Sequence, residues 1–281
     1  MISCRNPVGF LWVFLSGLFL FEAAVCSAEL SPQTLAAFDR YTQERERNIE
    51  EEILVPSRFL WVDRLPSEER ERSYRRLKSG DILIDAGKRV DIPDGLIHHW
   101  TGAGFLPGAT LAQTLSFIRD YDRHAVNYQP EVAVSRLIER QEEKFHILLR
   151  FKKKKVITVV LDTEHEVNFR SMDARRTVSR AHTTRISEVR DAGTPQEKIL
   201  PPGSGWGFLW KMNTYWRFFE SEGGTFVQCE TISLSRDVPF AVGWIVGRFV
   251  NSVPEESLTF TLSRTREKVL ALLPARIDEK K

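Results

Sequence analysis

Two aromatic stretches separated by a pair of glycines constrain this chain more than any other feature. Phe208–Glu220 reads FLWKMNTYWRFFE and Thr225–Arg236 reads TFVQCETISLSR, with Ser221-Glu222-Gly223-Gly224 between them. Aromatic and β-branched residues favour strands, and glycine takes positive φ at no steric cost, so the segment predicts a β-hairpin. A lone hairpin this apolar is not stable in water. It requires a wider sheet and a cover. Downstream, Leu258, Leu262, Thr265, Val269 and Leu272 recur at spacings of four and three, which predicts one apolar stripe on a long helix over Pro254–Leu273. Ser252-Val253-Pro254-Glu255 fits a capping box with proline in the first turn and places the helix start there. Val238–Val250 is apolar nearly all round and reads as a short buried helix or a lid over a cavity mouth.

Upstream, Ser31-Pro32 predicts an N-cap and a first helical residue, with the helix running through Phe38 and Tyr41 to Ile49 or Ile53. Its charged middle, Glu44-Arg45-Glu46-Arg47, reads as a solvated face. A second helix is expected over Ser67–Lys78, closed by Ser79-Gly80. Residues 29–79 thus read as a helical N-terminal extension packed against a main domain over 80–273, with a tail at 274–281. Asp81–Ala86 and Gly95–Trp100 read as short strands, Leu106-Pro107-Gly108 as a turn and Ala109–Arg119 as a helix. Glu131–Arg140, Lys144–Lys152, Val156–Phe169 and Arg175–Val189 read as long strands. Runs of strands joined by tight turns and closed by a helix imply an α+β class with an antiparallel sheet.

The N-terminus carries Arg5, the apolar run Val8–Phe21 and small residues at Cys26-Ser27-Ala28. That is the three-part pattern of a signal peptide over 1–28, cleaved after Ala28, and it implies a periplasmic or secreted protein. Cleavage removes Cys4 and Cys26 and leaves Cys229 as the one cysteine, so no internal disulfide is available and stability must come from core burial. Cys229 falls in a predicted strand and reads as a buried, inert thiol. The 40 Lys+Arg against 38 Asp+Glu give a net charge of +2, which makes no case for a nucleic-acid partner. Lys152, Lys153, Lys154 and Lys155 fall at a hairpin tip. They read either as a solvated end that discourages edge pairing or as a transient contact with an anionic membrane.

Pairing Glu220 with Thr225 sorts the C-terminal hairpin into two faces. One carries Trp210, Met212, Thr214, Trp216 and Phe218 with Val227, Cys229, Thr231 and Ser233. The other carries Asn213, Tyr215, Arg217 and Phe219 with Phe226, Gln228, Glu230 and Ile232. On the second face, Asn213, Tyr215, Arg217 and Glu230 form a polar patch. It reads either as the group that orients a ligand inside a cavity, with Arg217 gripping a carboxylate or phosphate, or as a cross-strand ion pair on a solvated surface. The first face is then outer surface under the N-terminal helices, or the cavity wall. No GxSxG, HExxH, P-loop or dinucleotide fingerprint is present, no histidine pair has metal-ligand spacing, and no cofactor is implied. Asp162, Glu164 and Glu166 alternate onto one face with His165 on the other, as on a surface strand.

The element order resembles that of the START-like, or polyketide cyclase/Bet v 1-like (SRPBCC), superfamily, in its exported bacterial branch. The matching text is Ile97-His98-His99-Trp100, Phe105-Leu106-Pro107-Gly108, Asp120-Tyr121-Asp122, Val156–Val167, and Leu209–Arg236 with the helix after it. The resemblance covers about 80–273 and rests on topology and aromatic placement. It implies a helix-grip fold, in which a curved antiparallel sheet wraps a C-terminal helix around an internal cavity. It also implies a protein that binds or transfers a hydrophobic small molecule or lipid. Trp100, Phe105, Trp210 and Trp216 join Asn213, Tyr215, Arg217 and Glu230 as candidate ligand-binding residues. The alternative is a cyclase, dehydratase or hydrolase using Tyr215, Arg217 and Glu230 as acid–base or oxyanion groups.

Overall fold

The computed structural model describes residues 30–274 except 156 and 237–242, and omits the side chains of 86 and 243–251. The described residues open with α1 (Pro32–Leu54). Ser31 caps it by accepting from the Thr34 backbone N–H at 3.1 Å, and Pro32 sits where no N–H is needed. Pro56 forbids its continuation, and Val55 is extended. Short 3₁₀ turns at Pro56–Arg58 and Trp61–Arg64 lead to α2 (Ser67–Ser79), which ends on left-handed Gly80.

The strands follow: β1 (Leu83–Ile92), β2 (Gly95–Pro107), then α3 (Leu111–Arg119) and α4 (His124–Asn127). After them come β3 (Val132–Gln141), β4 (Lys144–Lys154), β5 (Thr158–Ser171), β6 (Arg176–Arg190), the two-residue β7 (Lys198–Ile199), β8 (Lys211–Ser221) and β9 (Gly224–Arg236). The antiparallel sheet has the order β1-β2-β9-β8-β6-β5-β4-β3, with β7 paired to β6 off that path. The last element is α5 (Gly243–Leu272), which lies against β2 and β9. This is the α+β helix-grip fold that the resemblance implies.

Glu220 pairs with Thr225 and Tyr215 with Glu230, as the sequence predicts. Ser221 and Gly224 close the hairpin, with Gly223 at φ +83°. Two expectations fail at element ends. β1 and β2 are long, because β1 continues through an irregularity between Asp85 and Lys88, and β2 runs through Leu106 and Pro107 beside β9. The final helix does not begin at Ser252. It runs from Gly243 straight through Pro254, so the predicted cap lies mid-helix. Of the predicted lid, 238–242 lie outside the described residues, and Gly243–Val250 form the first turns of α5.

Each face of the sheet packs a core. On the inner face, Leu258, Leu262 and Val269 of α5 meet Phe145, Ile147, Val167, Phe218 and Val227. Helix and sheet approach closely at Gly102, where a Cβ would lie 2.6 Å from Leu262 Cδ1. On the outer face, Phe38, Ile49 and Ile53 of α1 and Leu77 of α2 meet Phe105, Tyr215, Phe226 and Ile232. β8 and β9 are covered on both sides, which is why both faces of the hairpin are rich in apolar residues.

Candidate functional site: the cavity between sheet and C-terminal helix

A cavity of about 290 Å³ lies between the inner face of the sheet and α5. Its sheet wall is built from inward-pointing residues of successive strands: Ile147, Leu149 and Phe151 of β4, Val159, Leu161 and Val167 of β5, Ala181 of β6, Met212 and Trp216 of β8, and Cys229 of β9. Ile118, Tyr121 and Tyr128 close one end. Leu258 and Phe260 of α5, with Phe208 and Leu209 before β8, complete the enclosure. The Tyr128 hydroxyl donates to Thr265 Oγ1 at 2.9 Å, because the Thr265 proton goes to the Thr261 carbonyl at 2.8 Å. That bond pins α5 to the segment between α4 and β3.

The polar groups of the wall are few and mostly neutral. Thr214 and Thr231 are cross-strand partners, and Ser233 stands two pairs along, opposite Met212. His98, His124 and His165 line the cavity and are buried. Burial pushes all three down to about 4, and the field of Arg89 adds to this at His98 and that of His146 at His165. They are neutral at pH 7. The Cys229 thiol is buried at the wall, and burial raises it well above the ordinary thiol range, which keeps it protonated. The charged lining residues among those described, Glu131, Lys152 and Lys153, gather at the rim, where Lys153 pairs with Glu131 and reaches Ser257 of α5 at 3.3 Å. Lys155 donates to Ser252 at 2.6 Å and pairs with Glu256 at 2.5 Å. Lys153 and Lys155 therefore fasten the β4–β5 tip to α5.

Of the eight candidate ligand-binding residues, Trp216 lines the cavity. Trp100 lies on the same face and packs into the inner core. Phe105 and Trp210 are buried in the outer core, Phe105 with its ring 4.5 Å from that of Phe226. Asn213, Tyr215, Arg217 and Glu230 do come together, but on the outer face beneath α1. Alternation along the strands sends them there once Met212, Thr214 and Trp216 point inward. They are not the cavity's polar head group, and Tyr215, Arg217 and Glu230 have no acid–base role in it.

What they build is a buried ionic clasp. Arg45 of α1 spans two carboxylates, donating from Nε to Glu230 at 2.6 Å and from Nη1 to Glu52 at 2.9 Å. Arg217, 1% exposed, donates to Glu52 at 2.6 Å and to the Phe59 carbonyl at 2.8 Å. Arg64 also pairs with Glu52. Glu230, also 1% exposed, accepts from His99 Nε2 at 2.8 Å, and the Tyr41 hydroxyl reaches His99 Nδ1 at 2.8 Å. Burial opposes the charged form of Glu230, but hydrogen bonds from His99 and Arg45 hold its carboxyl down at about 2. Glu46 joins the clasp through Tyr215 and His182, each at 2.8 Å. The run Glu44-Arg45-Glu46-Arg47 is therefore not a wholly solvated face: Arg45 and Glu46 turn inward to the sheet.

No family model matches the sequence, and no curated protein matches it. Solved structures with a related fold include a STAR-related lipid transfer protein from Xanthomonas axonopodis, 14% identical, TM-score 0.44, covering 66% of this chain and 99% of that one. The Zhui aromatase/cyclase from Streptomyces is 13% identical, TM-score 0.42, covering 64% of this chain and 97% of that one. A START superfamily protein from Mycobacterium smegmatis is 12% identical, TM-score 0.40, covering 63% and 99%. The likeness to START-like proteins is one of fold. At these TM-scores the fold assignment rests on the strand order and the placement of α5.

Proposed function

We propose that the protein binds and carries a hydrophobic small molecule or lipid in the cavity between sheet and α5. The observation that carries this reading is the predominantly apolar lining of the cavity, with charges only at the rim among the described residues. Removing a ligand's apolar body from water contributes roughly 25 cal/mol per Å², and the few polar groups fix its orientation. Organic extraction of the purified protein followed by mass spectrometry tests this. A stoichiometric hydrophobic species is the expected result, and protein that carries none and takes up no neutral hydrophobic probe contradicts it.

The site of action we propose is the periplasm or the exterior, reached through a signal peptide over 1–28 that lies outside the described residues. Mass spectrometry of the exported protein should find Glu29 at its N-terminus, and retention of residues 1–28 would contradict this. We also propose that Lys152, Lys153, Lys154 and Lys155 make a transient contact with an anionic membrane, because Lys152 and Lys153 stand at the cavity rim and Lys154 and Lys155 continue the same hairpin tip. Cosedimentation with vesicles should rise with anionic lipid content and fall with salt.

A further inference from the structure

The hydrogen-bond partners of two of the cavity histidines determine where each ring carries its proton. His124 Nε2 lies 3.0 Å from the Ile118 carbonyl oxygen, which only accepts, so Nε2 carries the hydrogen. His165 Nε2 lies 2.8 Å from Thr163 Oγ1, whose own proton goes to the Leu149 carbonyl at 3.0 Å. That hydroxyl must accept from the ring, and again Nε2 donates. His98 Nε2 meets Ser235 Oγ at 3.2 Å, and that hydroxyl has the Arg236 carbonyl as a second acceptor at 3.3 Å. On the inference below, His98 takes the same tautomer. A neutral imidazole with its proton on Nε2 has a bare lone pair on Nδ1, and no hydrogen bond from a described residue reaches Nδ1 of any of the three.

We infer that the cavity selects an uncharged, largely apolar molecule that donates hydrogen bonds, an alcohol or a phenol, over a carboxylate or phosphate of the same body. The inference rests on the cavity-binding reading above and narrows its ligand class. The histidine Nδ1 atoms accept from a ligand hydroxyl, and the hydroxyls of Thr214, Thr231 and Ser233 join them by donating or accepting. Inside the rim no described residue offers a cation, so an anionic group would meet the imidazole lone pairs and have only neutral hydroxyls to replace its lost water. Burial holds the rings neutral at pH 7, which preserves the acceptors. Sites built to bond a hydroxyl discriminate strongly against an analogue that lacks it.

The test uses three probes with one body: 2-naphthol, 2-methoxynaphthalene and 2-naphthoate, each displacing a neutral fluorescent probe from the full-length mature protein at pH 7. The expected result is that 2-naphthol binds about tenfold or more tightly than either of the others. His165→Phe and His124→Phe should weaken 2-naphthol more than 2-methoxynaphthalene and so shrink that ratio. Nitrogen-15 spectra of histidine-labelled wild-type protein give a readout that needs no variant, and should show the three cavity rings as the Nε2–H tautomer. Binding of 2-naphthoate or 2-methoxynaphthalene as tight as that of 2-naphthol overturns the inference while leaving the cavity reading intact. So does a cavity ring protonated on Nδ1. Failure of all three probes to bind overturns the cavity reading itself, and this inference with it.

Discussion

Trp216 and Arg217 are sequence neighbours on opposite faces of the sheet, and they separate binding from stability. Trp216 lines the cavity, so Trp216→Ala should weaken hydrophobic-probe binding about tenfold while the protein still unfolds cooperatively. Arg217 sits in the clasp between two carboxylates, 2.6 Å from Glu52 and 3.9 Å from Glu230. Arg217→Met leaves Glu52 and Glu230 to Arg45 and their other partners, and the lost buried pair should cost about 3–5 kcal/mol in urea unfolding, with probe affinity of the folded fraction unchanged. The reverse pattern would place the ligand on the outer face. Titration of the cavity histidines adds a pH dependence. Their folded values of about 4 lie below the unfolded value near 6.5. Between those values the unfolded chain binds more protons, so stability is fully present above pH 6.5 and is lost as pH falls through 4, on the order of 3 kcal/mol per ring. Glu230 behaves as a depressed carboxyl: its contribution persists above the unfolded value and goes only as pH falls through about 2. Urea midpoints from pH 8 to 3 should therefore decline first between 6.5 and 4. A flat profile there would contradict the burial of these rings.

At the scale of elements, the close approach of α5 to β2 depends on Gly102, whose Cβ position is 2.6 Å from Leu262 and 2.7 Å from Ile84. Gly102→Val should overpack this contact and cost about 1–3 kcal/mol in thermal or urea unfolding, whereas an unchanged midpoint would mean that α5 does not lie against β2. Most elements were legible in the sequence because period and punctuation agree there. Ser31-Pro32 starts α1, Pro56 stops it, and Gly223-Gly224 sets the register that pairs Tyr215 with Glu230. The start of α5 was not legible: Ser252 to Glu255 carries cap chemistry, yet the helix passes through Pro254. The identity of the inner face was hidden for a different reason. Both faces of β8 and β9 mix large apolar with polar residues, and local pattern does not distinguish polar groups that meet a ligand from those that meet a helix. The discriminating signal lay in α1, where Arg45, Glu46 and Glu52 are spaced to meet Glu230, Tyr215 and Arg217. That signal becomes legible only once the helix is known to lie on the sheet.

For the molecule as a whole, the sheet divides the labour. Its outer face is closed by α1 and α2 through the clasp and an apolar core, and its inner face is left to α5 and the cavity. Deleting residues 30–79 would expose Phe105, Tyr215, Phe226 and Ile232 together with Arg217 and Glu230, stripped of Glu52 and Arg45. The truncated protein should lose cooperative unfolding, and a soluble fragment with a sharp transition would show that the extension is dispensable. The central claim is that the space between sheet and α5 is a binding site. Titration of the neutral probe N-phenyl-1-naphthylamine into wild-type protein and into Ala181→Trp, with unfolding followed in parallel, tests it most directly. One saturable site in the wild type, abolished in a variant that still unfolds cooperatively, is the predicted result. Undiminished probe binding in the folded variant would contradict it.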